Sequence, residues 1–94
     1  MIVGLCTLEL SIPVTHSLKD KRGVIKPLIA QMRKEFNVSV AEVDEHDMWQ
    51  AARLGVAMVS NDPGHVHGQL ENVVRWLERT QPHLYVSNWD IEVL

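Results

Sequence analysis

Six of the nine basic residues of this sequence crowd into one stretch: Lys19, Lys21, Arg22, Lys26, Arg33 and Lys34. On a continuous helix Lys19, Arg22, Lys26 and Arg33 share a sector of ~60° beside an apolar stripe. A helix start also offers free N–H groups to an anion. Cations in that pattern hold phosphates; they do not by themselves transform a substrate. Lys19, Lys21, Arg22, Lys26 and Arg33 are therefore the candidate nucleic-acid contacts. The competing reading is a solvated helix face that aids solubility.

Other reactive types are placed less well for chemistry. His46 sits in Asp44-Glu45-His46-Asp47, and His65 and His67 follow Asp62. Histidines and carboxylates can ligate a transition metal. On a helix, however, residues i and i+2 diverge by about 200°, so His65 and His67 cannot chelate together. No zinc-type spacing, phosphate loop or nucleophile elbow occurs. Cys6 falls on the inward side of a strand pattern, where a cysteine acts as a small buried hydrophobe. The sequence thus nominates no catalytic residue, metal ligand or cofactor, and a non-enzymatic role is expected.

The elements that must carry these residues follow from periodicity. Ile2–Ile12 alternates, with Ile2, Cys6, Leu8, Leu10 and Ile12 on one face, and Pro13 ends it. Such alternation marks a strand with one face in a core. Ser17-x-x-Asp20 resembles a capping box. It opens a helix whose stripe is Val24, Ile25, Leu28, Ile29, Met32 and Phe36. Pro27 crowds the carbonyl one turn back, so a kink or a short first helical piece is expected there. Strands are read at 38–43, 54–60 and 84–93. The last places Tyr85, Trp89, Ile91 and Val93 on one face. A second helix starts at Asp62-Pro63, with Asp62 as N-cap and Pro63 at the first helical position. It carries Val66, Leu70, Val73 and Leu77 inward.

The order β-α-β-β-α-β implies a ferredoxin-like α+β sandwich. Four antiparallel strands carry two helices on one face. Residues 1–94 read as a single domain. That topology is shared by RNA-recognition motifs, which stack bases on aromatics of the central strands. Here the first and third strands offer no aromatic, which argues against that mode.

Composition bounds the classes. The chain has 94 residues, 46% of them hydrophobic, and a formal charge of −3. Those values exclude a disordered chain and a globally basic nucleic-acid binder. A single cysteine favours a reducing compartment. The start has no basic n-region, and no apolar run approaches a membrane span. A cytoplasmic protein without membrane contact is expected.

Three strings, HSLKDKR from His16, FNVSVAEVD from Phe36 and LGVAMVSND from Leu54, with Asp47, Trp49, Gln50 and Ala52 between the last two, resemble the YlxP-like family, bacterial domain of unknown function 503. The resemblance spans essentially the whole chain. It implies a ferredoxin-like fold in a bacterial cytoplasmic protein. It carries over no activity, cofactor or site residue. The gene neighbourhoods of that family, among translation initiation and ribosome maturation factors, imply a role near the ribosome.

Two functional expectations follow. One is a binding module for RNA or the ribosome. The other is a small-ligand or metal-binding regulatory domain built on the loops at 44–49 and 61–67. A third expectation concerns assembly. Two helices cover one sheet face only, and the third strand is apolar on both sides. Val3, Leu5, Gly55, Ala57 and Val59 would then lie on an open face that rarely stays bare. A homodimer is expected, through that face or through edge strands. The monomeric alternative has the 44–53 loop folded over the face with Met48 and Trp49.

Overall fold

The computed structural model describes residues 1–44 and 48–94. Its elements are β1 (Ile2–Ser11), α1 (Leu18–Glu35), β2 (Ser39–Asp44), β3 (Ala51–Ser60), α2 (Pro63–Thr80) and β4 (Tyr85–Val93). All pairings are antiparallel and the sheet order is β2-β3-β1-β4. α2 packs on β4, β1 and β3, and α1 packs on β2. This is the ferredoxin-like arrangement.

The core lies between the sheet and the helices. β1 sends Cys6, Leu8 and Leu10 into it, β3 sends Ala52, Leu54 and Val56, and all are buried. α1 contributes Ile25, Leu28 and Met32, and α2 contributes Val66, Leu70, Val73, Val74 and Leu77. Gly4 sets how closely α2 approaches β1. A Cβ there would stand 2.1 Å from Val66 Cγ1 and 2.9 Å from Leu70 Cδ1. The helix starts are built as their residue types dictate. Ser17 Oγ accepts from Asp20 N at 3.0 Å, and Asp62 Oδ1 accepts from Gly64 N at 3.1 Å.

Three features depart from the sequence reading. α1 runs unbroken through Pro27. Gly23 and Pro27 are both exposed, so water satisfies the carbonyl that loses its partner. β3 begins at Ala51, adding three pairs against β1, Arg53 with Glu9, Ala52 with Leu10 and Ala51 with Ser11. In β4 the register shifts where Glu9 gives way to Leu10, and Ser87 is the unpaired extra residue. A bulge of this kind inverts alternation beyond it. Tyr85 therefore pairs with Ser11 on the open face, whereas Trp89 and Ile91 pair with Leu8 and Cys6 on the helix side. The single four-residue face read from Tyr85, Trp89, Ile91 and Val93 is thus split between the two sides.

Candidate nucleic-acid interface

The rotation of α1 about its axis decides which cations face outward. Its start is fixed by a reciprocal cap: Ser17 Oγ accepts from Asp20 N, and Asp20 Oδ2 accepts from His16 N at 3.2 Å. Its inward stripe is Lys21, Ile25, Leu28 and Met32. Four of these positions are spaced by four, three and four residues, which is one helical face.

Lys21 is thereby withdrawn from the surface. Its side chain is 3% exposed, and Nζ lies 2.8 Å from Glu42 Oε2 on β2. The same Nζ donates to the Ala51 carbonyl at 3.1 Å. Lys21 is a tie between α1, β2 and the start of β3, not a contact offered to a phosphate. Arg33 is partly committed as well: Nη2 donates to the Val40 carbonyl at 2.8 Å. That bond covers part of the edge of β2, a device that discourages strand addition.

Lys19, Arg22 and Lys26 remain. All three are exposed, and no ion pair or hydrogen bond engages their side chains among the described residues. They occupy one flank of α1 over about 10 Å of helix axis. Arg22 and Lys26 rim a groove of about 400 Å³ whose other walls are Ile25, Ile29, Lys21 and Glu42. The groove runs between α1 and β2, with the Lys21–Glu42 pair at its floor. Charge is segregated in the chain: α1 holds six cations and two acids, and the remainder holds three cations and ten acids.

The open sheet face is the second surface of interest. Cross-strand rows read Val59–Val3, then Ser39–Ala57–Leu5–Glu92, then Ala41–Gly55–Thr7–Asp90. All five residues nominated for self-association thus share this face: Val3, Leu5, Gly55, Ala57 and Val59. Leu5 is 37% exposed and Val59 57%. β2 adds Val43, which the sequence reading did not place. It is the extra residue of a second bulge, and its Cγ1 would lie 2.9 Å from a Cβ at position 55. The depression lined by Leu5, Thr7, Ala41, Val43 and Gly55 measures about 330 Å³. Beyond it Arg53 bridges Glu9 and Asp44. The face is apolar at one end and charged at the other.

The loop between β2 and β3 does not lie across that face in its described part. Thr15 Oγ1 donates to the Trp49 carbonyl, Ile12 N donates to the Gln50 carbonyl, and Gln50 Nε2 donates to the Thr15 carbonyl at 3.2 Å. Residues 48–50 are therefore fastened to the β1–α1 connection at one end of the sheet. Glu45, His46 and Asp47, part of the proposed loop site, lie outside the described residues. Among the described residues no group of three or more His, Cys, Asp or Glu could hold a metal. His65 and His67 are both exposed, and His67 Nδ1 pairs with Glu71 at 3.0 Å. Cys6 is buried; burial, and secondarily the Asp90 carboxylate, push its thiol up to about 11. No described helix is long and apolar enough to cross a membrane.

Comparison with known proteins adds two findings. A family model described as "Protein of unknown function (DUF503)" matches residues 3–91. The chain belongs to the DUF503 family. It is 31% identical over 77 residues to "Uncharacterized protein YlxP" of Bacillus subtilis (strain 168), covering 82% of this chain and 84% of that protein. The DUF503 match covers both surfaces described above: the α1 flank and the apolar end of the sheet.

Proposed function

We propose that this DUF503 protein is a non-enzymatic RNA-binding module whose contact surface is the outer flank of α1. The observation that carries the reading is the set of three exposed cations, Lys19, Arg22 and Lys26, on one helix flank, with no ion-pair partner among the described residues. They stand out from a chain whose acids lie mainly elsewhere. Such a flank binds a polyanion although the net charge is negative, because screening confines each field to about 10 Å at 0.1 M salt. Gel-shift titration of ribosomal RNA fragments with the wild type and the Lys19→Ala/Arg22→Ala double variant tests it. Neutralising about three phosphates of a single strand gives a salt slope near −2, and the double variant brings it to about −0.7. RNA binding that is absent, or that ignores both salt and the double substitution, contradicts the reading.

A specific observation favours a homodimeric form of this module: the contiguous apolar end of the open sheet. Four strands at ~4.8 Å and ten residues at ~3.3 Å bound the whole face at roughly 600 Å², of which the apolar end is a part. Stable interfaces use about 800 Å² per partner, so packing two such faces gives a weak, concentration-dependent dimer. The α1 flanks then point outward on both sides, free for RNA. Sedimentation equilibrium decides this. A species that stays at 10.7 kDa up to about 100 µM refutes the dimer. A dimer that survives Ala57→Glu excludes the sheet face as its interface.

A further inference from the structure

Exposed large apolar side chains gather at the end of the sheet where α1 begins. Val14, Leu18, Met48 and Trp49 are 51%, 37%, 52% and 48% exposed. Trp49 is not a loose loop residue. Its carbonyl accepts from Thr15 Oγ1, and its neighbour Gln50 is bonded through both backbone and side chain to the β1–α1 connection. The next residue, Ala51, accepts from the buried Lys21. The backbone of the indole is thus held by the same segment that launches α1, at Thr15, which precedes Lys19 by four residues and Arg22 by seven. The acid nearest the start of that helix, Asp20, is turned back onto the His16 N–H. A half-exposed indole on a fixed backbone, at the end of the sheet where α1 and its exposed cations begin, fits an unstacked nucleobase whose phosphates lie along a basic flank.

We infer that Trp49 is a stacking platform for an unpaired base, which makes the protein selective for single-stranded RNA over duplex. This rests on the RNA-binding reading and adds the class of RNA and the residue that selects it. The indole supplies sequence-tolerant stacking. Lys19 and Arg22 hold the flanking phosphates. Duplex RNA presents the phosphates but not the free base, so it uses the cations alone.

Fluorescence anisotropy with a labelled single-stranded RNA of about twelve nucleotides, free and annealed to its complement, tests the inference. Stacking on one aromatic supports a loss of roughly 5- to 150-fold for the single strand in Trp49→Ala. Trp49→Phe retains most of the affinity, and duplex binding changes less than about twofold in either variant. Thermal melts of both variants check that the fold is intact, which the exposure of the side chain leads one to expect. Unchanged single-strand binding in Trp49→Ala, alongside a loss in Lys19→Ala/Arg22→Ala, overturns the platform and leaves the RNA reading standing. A wild type that binds neither RNA overturns both.

Discussion

Replacing Lys21 by Met separates the structural cation from the binding cations. The ammonium sits in a nearly closed site, with Glu42 Oε2 at 2.8 Å and the Ala51 carbonyl at 3.1 Å. Methionine fills most of the same volume but removes both bonds. Breaking a fully buried pair by deleting one partner costs about 3–5 kcal/mol, because the other charge stays buried alone. Glu42 keeps 19% of its side chain in solvent, so water relieves part of that penalty. An expected cost of about 2–3 kcal/mol follows. In a domain of this size each kcal/mol moves Tm by about 4–8 °C, so the variant melts roughly 10–20 °C lower. Glu42→Leu alone takes the carboxylate away from the ammonium, which is the more buried of the two, and loses at least as much. The double variant Lys21→Met/Glu42→Leu removes both members of the pair together and recovers to within about 1 kcal/mol of the wild type. Urea titration followed by circular dichroism measures all four proteins, with an unchanged m-value confirming a comparable folded state. Below saturation of unfolding, Lys21→Met keeps its RNA affinity. A Lys21→Met cost under about 1 kcal/mol, or a double variant as damaged as the sum of the singles, refutes the argument. So does intact stability with lost RNA binding, which would return Lys21 to the surface.

Two further outcomes concern the core. Because burial raises the Cys6 thiol from 9.0 to about 11, the folded state resists ionising it. The unfolded chain ionises first as pH rises, so this contribution is complete below about pH 9 and is lost between pH 9 and 11, at about 1.4 kcal/mol per unit. Urea midpoints from pH 8 to 11 should fall for the wild type more steeply than for Cys6→Ala, and parallel curves would refute it. Gly4→Ala should lower stability by about 1–3 kcal/mol, since the added methyl meets the side chains of Val66 and Leu70. A Tm within 2 °C of the wild type would show that α2 yields without strain.

The residues that were legible in the sequence are those whose roles are local. Ser17 and Asp62 cap helices as their types demand, and Cys6, Leu8 and Leu10 follow the two-residue period into the core. Val3, Leu5, Ala57 and Val59 reach the open face by the same arithmetic. What was not legible depends on partners far along the chain. Lys21 stands four, seven and eleven residues before Ile25, Leu28 and Met32, so its inward position is written in the spacing. A lysine is nevertheless assigned to solvent until Glu42 and the Ala51 carbonyl are seen beside it. Arg33 lies in the same sector as Lys19 and Lys26, and only the position of the β2 edge reveals its bond to Val40. The division of Tyr85 from Trp89 required the bulge at Ser87, which no local pattern announces. Trp49 carried no periodic signal at all, because its position is set by Thr15 and Gln50.

RNA recognition through the α1 flank is tested most directly by following backbone amide resonances while a single-stranded RNA is added. The account predicts shifts concentrated in residues 18–29 and 48–50, saturating together and fading as salt rises from about 50 to 200 mM with a roughly 20-fold loss of affinity. Leu5, Ala57 and Val59 on the opposite layer should stay where they are. Shifts centred on the open sheet face, or no salt-sensitive shifts at any RNA concentration, would contradict it.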